Sequence, residues 1–252
     1  MQSRTEWEGV DRWYDQIVGQ EGHYYHRQVI LPKLLPLLQF KDFDSPALLD
    51  LACGQGVLAR QIPSHIPYWG VDLAPSLITE AKKKSGQNRQ FVVGDICEPL
   101  PLDKHDFSHA AIILALQNVA KPNLAILNAS RHLRKGGVLS LVLNHPCFRI
   151  PRQSSWGVDT GKKIQYRRVD SYLKPQKIPI QTHPSKGQVS SNTWSFHHSL
   201  SDFSRFLADA GFAILLIEEW TSDKISTGAA AKMENRARSE FPLFLTFLAQ
   251  KI

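Results

Sequence analysis

Asp50, Gly54 and Gly56 close an apolar run in "LLDLACGQGVLAR", and Asp72 and Asp95 close the next two, "YWGVDL" and "FVVGDI". Carboxylates at successive strand ends, beside glycines that let a backbone come close, suit the binding of a sugar and a charged group. Taken literally, Gly54-x-Gly56-x-x-Ala59 also fits the loop that cradles a dinucleotide pyrophosphate at a helix N-terminus. Asp50, four residues before Gly54, would work against an anion there. A buried acid beside a glycine turn favours a ligand with positive charge.

S-adenosylmethionine (SAM) carries two such charges, a sulfonium and an α-ammonium. Asp50 can attract the ammonium directly or through water, and the glycines let the backbone approach the ribose and methionine. Asp72 can accept hydrogen bonds from both ribose hydroxyls, a role that suits a nicotinamide dinucleotide equally well. Asp95 can accept from the adenine amino group while Ile96 lies against the ring.

Short apolar strands at 46–52, 67–71, 90–94, 107–114 and 137–143 must carry these residues, with helices expected at 56–62, 75–84 and 122–134. Such alternation implies a mainly parallel sheet covered on both faces. Residues 5–38 read as one or two helices, with Trp7, Val10, Trp13, Tyr14, Ile17, Val29, Ile30, Leu34, Leu37 and Leu38 at helical spacing, so 1–40 form a helical cover. The alternation stops after residue 144 and resumes at "SLSDFSRFLADAGF", a helix opening with the capping box Ser199-x-x-Asp202. "FAILLIEEW" is a strand, 221–239 a mobile connection, and "FPLFLTFLAQKI" the last strand. The chain, 1–252, is thus one α/β domain with an insertion, 145–198, after its fifth strand.

Of the 252 residues, 42% are hydrophobic and 21% charged, as in an ordinary soluble domain. No apolar run is long enough to span a bilayer, and the polar N-terminus is not a signal peptide. Cys53, Cys97 and Cys147 lack metal spacing, so no metal is expected, and reduced thiols fit a cytoplasmic protein. The net charge of +7 is local: residues 149–186 hold nine Lys/Arg against Asp159 and Asp170, and the remainder is neutral. An anionic partner or substrate is the functional reading of that excess.

The segments "LLDLACGQG", "GVDLAPSLITEA", "VVGDICEPLP" and "LRKGGVLSLVLNHP" stand in the order and spacing of class I SAM-dependent methyltransferases. Over residues 10–145, and more weakly 192–252, the chain resembles the bacterial small-molecule enzymes of ubiquinone and menaquinone biosynthesis, the type 11 methyltransferases. Ala52 replaces the first glycine of that family's D/E-x-G-x-G-x-G motif, and Ser108 stands where an acid is usual. The resemblance implies a Rossmann-like seven-stranded sheet, order 3-2-1-4-5-7-6, with the last strand antiparallel. It implies cofactor contacts from Arg27, Asp50, Ala52, Gly54, Gly56, Asp72, Leu73, Asp95, Ile96 and Ile112. Arg27 would pair with the cofactor carboxylate, and Tyr25 would close over it.

The acceptor belongs above the carboxyl edge of the sheet, under the N-terminal helices, the "NHPCF" turn or the basic insertion. His145 is the candidate general base, with His197 and His198 beside the lid. Asn144-His145-Pro146-Cys147 faintly resembles motifs of DNA methyltransferases but follows the wrong strand. A small-molecule acceptor under a lid-like insertion, whose positive charge would favour an anionic one, is the preferred reading. The alternative is an RNA- or protein-directed methyltransferase that docks through the same insertion, whose aromatic and basic residues suit a nucleic-acid surface too. A non-enzymatic SAM-binding protein ranks third.

Overall fold

The computed structural model describes residues 23–86, 88–181 and 192–252. The expected helical positions Trp7 to Ile17, and Lys186 in the insertion, lie outside the described residues. In chain order the strands are β1 (Leu48–Leu51), β2 (Tyr68–Asp72), β3 (Arg89–Val93), β4 (Phe107–Ile113), β5 (Leu133–Asn144), β6 (Ser154–Asp159), β7 (Ile164–Val169), β8 (Gln176–Gln181), β9 (Asn192–His197), β10 (Phe212–Trp220) and β11 (Phe244–Lys251). The helices are α1 (Pro75–Lys84), α2 (Pro122–His132), α3 (Leu200–Asp209) and α4 (Ala231–Glu240).

Seven strands form one sheet in the order β10-β11-β5-β4-β1-β2-β3. β1 to β5 are mutually parallel, and β11 is antiparallel to both β5 and β10. Counting only these seven strands, the order is the expected 3-2-1-4-5-7-6. The central strands are nearly continuous apolar runs, as burial on both faces requires. On one face Leu49, Leu51, Ala110, Ile112 and Leu141 pack with Ile126 of α2 and Leu207 of α3. On the other, Leu48, Tyr68, Ala111 and Val142 pack with Ile30, Leu34 and Leu38 of the N-terminal segment. That segment is helical, as expected, but changes pitch along its length, from a π turn at His26–Ile30 through an α turn at Leu31–Leu34 to a 3-10 turn at Leu35–Leu37. Pro32 and Pro36 remove backbone donors from it.

Three local expectations need correction. Residues 54–61 form consecutive turns, not a helix from 56. Gly54 (φ 55°) and Gly56 (φ 74°) are left-handed, so no regular helix begins there. The expected mobile connection at 221–239 contains most of α4, which buries only Ala237 and therefore shows no apolar stripe. The insertion contains an unexpected strand, β6, paired with β7. The capping box at α3 is present: Ser199 Oγ accepts from Asp202 N at 3.2 Å, and Ser199 N donates to Asp202 Oδ2 at 2.9 Å. No described helix is long and apolar enough to cross a membrane.

The two insertion hairpins stand over the carboxyl edge. β8–β9 lies against the turn Leu116–Asn118 that follows β4, and β6–β7 lies against α4. Ser108 has no access to that edge. It is fully buried, and its Oγ bonds Ala47 through both the N–H (2.9 Å) and the carbonyl (3.0 Å).

Candidate cofactor and acceptor site

Asp50 sits on β1 with 3% of its surface exposed, and Tyr68 Oη donates to its Oδ2 at 2.6 Å. Burial pushes its carboxyl up to about 7, the Tyr68 hydrogen bond opposes this, and neighbouring Asp72 adds to it. A charge so placed acts through the loop above it rather than by open contact. Immediately beyond, Ala52 adopts φ 60°, and Gly54 and Gly56 follow in the same left-handed region. A non-glycine residue costs about 1–2 kcal/mol there, and such strain gathers at functional sites. A Cβ on Gly56 would lie 3.1 Å from Ser85 Oγ and 3.2 Å from the Phe91 ring, so the loop is packed down on its far side. Gly70 makes the same allowance beneath it, where a Cβ would come within 2.8 Å of Cys53 Sγ. Cys53 is a small buried residue at this contact.

Asp72 ties this loop to the next. Its Oδ2 accepts from Gly54 N at 2.8 Å and its Oδ1 from Ala74 N at 2.9 Å, the latter at the entrance to α1. Burial raises its pKa, and the N–H groups of Ala74, Gly54 and Leu73 oppose the rise. Each carboxylate oxygen has a second lone pair, so a ribose hydroxyl can still be accepted. Leu73 leaves 43% of its surface exposed beside this carboxylate, an apolar contact open to a ring. Asp95 is half-buried, and its Oδ1 accepts from Cys97 N at 2.9 Å in a tight local turn. Ile96 is 6% exposed and belongs to the core as much as to the edge.

Ile112 does not fit the expectation. It is fully buried inside β4, in register with Leu141 of β5, and cannot reach a ligand at the edge. The strand leaves the sheet two residues later, at Leu114, which takes φ 51°, and Gln117 Nε2 donates to the Leu114 carbonyl. Leu114 and Gln117 are the edge positions of this strand. A fourth-strand segment is visible in the sequence, but its exit is set by pairing with β5.

Tyr25 stands edge-on to Phe244, with ring centroids 5.6 Å apart, at the carboxyl end of β5 where Phe244 pairs with Asn144. Arg27 is exposed on the first helical turn. His145 also departs from its expected role. It is 1% exposed, its Nδ1 accepts from Cys147 N at 3.2 Å, and its Nε2 bonds Glu219 Oε1 at 2.6 Å. Burial lowers its pKa, against the pull of Glu219. With both ring nitrogens engaged, His145 joins the end of β5 to β10 and is not poised as a base. His145→Ala is accordingly expected to lower stability by about 1–2 kcal/mol, since Glu219 is itself half-exposed and screened. Thermal melts beside turnover decide the point: a large loss of turnover with an unchanged melting temperature would restore the base.

His197 is similarly braced, its Nε2 bonding the Tyr172 carbonyl at 2.6 Å, and His198 packs against Phe203 and Phe206. Both line a cavity closed by β9, the Leu143–Pro151 turn and Gln117. The insertion's side chains therefore contribute walls at the ends of β4 and β5.

The residues present fit SAM in their chemistry: a glycine loop packed down on its far side, Asp72 and Asp95 on adjacent strand ends, and Leu73 open beside them. Residues 49–141 match the methyltransferase domain family. Demethylmenaquinone methyltransferase of Staphylococcus aureus (strain MRSA252) is 29% identical over 112 residues, covering 42% of this chain and 46% of the relative. Its counterpart in Chlamydia pneumoniae is 31% identical over 100 residues, covering 38% and 43%. The chain thus spans less than half the length of these curated relatives. An S-adenosylmethionine-dependent methyltransferase from Mesorhizobium loti superposes with a TM-score of 0.67 at 23% identity, over 87% of this chain and 96% of that one. That likeness establishes the fold.

Proposed function

We propose that this chain, whose residues 49–141 belong to the class I SAM-dependent methyltransferases, transfers a methyl group from SAM to a small-molecule acceptor. The observation that carries this is the bridge made by Asp72 between Gly54 and Ala74, which holds the two cofactor loops at one strand end. When bound, SAM supplies an electrophilic methyl group, and the protein's task is alignment and exclusion of water. Asp72 and Asp95 orient the nucleoside by accepting hydrogen bonds, and Leu73 packs on its ring. Asp50 favours positive charge above the glycine loop. Leu114 and Gln117 border the space between cofactor and acceptor. β9 and the Leu143–Pro151 turn cover the acceptor and keep it dry.

The demethylmenaquinone methyltransferases among the relatives support a small acceptor. So does the use the insertion makes of its own cations. Arg167 donates to the Phe148 carbonyl and to Ser154 Oγ, Arg168 pairs with Asp170, and Lys177 lies 4.1 Å from the Trp194 ring centroid. These cations are spent on folding the insertion as well as on charging its surface.

A screen for SAM consumption against metabolites and bulk tRNA tests the proposal, with tRNA binding followed across a salt series. A small acceptor meets one or two cations, so its binding weakens mildly with salt. RNA held through six or more phosphates would lose roughly a thousandfold over a fourfold rise in salt. Turnover on a metabolite supports the reading. Steep, submicromolar tRNA binding with turnover only on RNA overturns it.

A further inference from the structure

Arg149 is the cation of the basic insertion that the fold turns inward. It follows β5 in the turn after His145, and its backbone N–H donates to the His145 carbonyl at 2.8 Å. Its Nη1 donates to Asn144 Oδ1 at 2.9 Å, and its guanidinium carbon lies 5.5 Å from the centre of the Phe244 ring. Both contacts fix the plane of the group. Neither neutralises its charge.

Among the described residues no carboxylate pairs with Arg149. The two acids of the neighbourhood are engaged elsewhere: Glu219 bonds His145, and Asp223 accepts from Tyr24 Oη at 2.7 Å. What approaches instead is more positive charge. Burial, then Lys224, then Arg149 lower the pKa of His23; burial lowers that of Arg149, the Tyr25 phenol opposes this, and Arg167 adds to it. A partly buried guanidinium among cations, with an amide oxygen as its side-chain acceptor, is costly unless an anion completes it. Its planar fork suits a carboxylate held by two parallel bonds.

The surroundings define the rest of such a ligand. Arg149 lines the cavity under β9, whose other walls include Leu143, Pro146, Ile150, Phe196 and Phe203. These apolar surfaces alternate with the polar groups of Gln117, Asn144, Ser195, His197 and His198, and Arg149 is the one guanidinium among them. The cavity lies at the ends of β4 and β5, whereas the glycine loop follows β1. At about 4.8 Å per strand, β5 is roughly 10 Å from β1. An anion received there lies well away from a nucleoside held at Asp72 and Asp95.

We propose that Arg149, oriented by Asn144 and Phe244, is the receptor for a carboxylate on an apolar acceptor, and so sets which acceptors the enzyme takes. This rests on the methyltransferase reading for the word acceptor, but the anion site itself does not.

The test uses the full chain, as wild type, R149M and R149K, with S-adenosylhomocysteine, benzoate and benzamide as probes and calorimetry as readout. Benzoate and benzamide share shape and differ in charge. Wild type is expected to bind benzoate about tenfold or more tightly than benzamide, the scale of a charge-assisted pair. R149M should erase that preference, and R149K should keep part of it. S-adenosylhomocysteine should bind all three proteins within about twofold. Equal binding of benzoate and benzamide by wild type overturns the proposal, as does a preference that survives in R149M. A tenfold loss of S-adenosylhomocysteine affinity in R149M also overturns it, by assigning the guanidinium to the cofactor's own carboxylate. Should wild type prefer benzoate yet fail to bind S-adenosylhomocysteine, the anion site stands and the methyltransferase reading falls.

Discussion

Asp50→Asn is expected to gain stability relative to wild type as pH rises from about 4 to 8. The carboxyl titrates near 3.8 when unfolded and about 7 when folded. Between these values the folded state holds a proton that the unfolded state has lost, so stability falls as pH rises. The favourable contribution is complete below about 4 and gone above about 7. A shift of this size corresponds to a few kcal/mol at most, roughly 1.4 kcal/mol per pH unit across the window. Asparagine cannot ionise, so the variant loses this slope; any fixed penalty of its amide moves the whole curve without changing the slope. Denaturant titrations of both proteins from pH 4 to 8 measure the difference. Parallel curves would show that Asp50 is ionised throughout, and the account of its burial would be wrong. The charge has a second consequence. A cationic ligand above the glycine loop favours the ionised form, so SAM should bind wild type more tightly as pH rises towards 8, and Asp50→Asn should lack that gain.

Asp72→Ala should weaken binding of SAM and S-adenosylhomocysteine by about 1.5–3 kcal/mol, a ten- to hundredfold change, the scale for hydrogen bonds to a charged group. Two effects combine. The ribose loses its acceptor, and the N–H groups of Gly54 and Ala74 lose the carboxylate that holds their loops together. Asp72→Asn keeps an acceptor oxygen and should fall between. The fold should survive, because Asp72 lies at the end of β2 and the sheet pairing within it is unchanged. Normal affinity in a folded Asp72→Ala protein would reduce this residue to the cap of α1.

The parts of the site legible in sequence are those fixed by chemistry at a strand end. Asp50, Gly54, Gly56, Asp72 and Asp95 announce themselves because an acid or a glycine closing an apolar run has few other reasons to be there. The alternation gives a mainly parallel sheet, and the strand order came from the family resemblance alone. Ile112 was misplaced because an apolar strand carries no internal mark of where it ends; its exit at Leu114 is decided by the β5 register and a left-handed backbone. His145 looked available because a histidine after a strand end resembles a base, whereas Glu219, 74 residues later, occupies its ring. α4 escaped notice because an exposed helix of Ala, Lys, Glu and Arg needs no apolar period. Arg149 was one basic residue among nine, and only the fold separates the cation that faces a cavity from those on the surface.

Calorimetric titration of the purified chain with SAM, S-adenosylhomocysteine and NAD, at pH 8 and moderate salt, tests the central claim most directly. The account predicts saturable binding of SAM and S-adenosylhomocysteine at one site per chain, weakened by Asp72→Ala, with no measurable binding of NAD. Tight binding of NAD with none of SAM would contradict it, and the glycine loop after β1 would then be a pyrophosphate cradle despite Asp50.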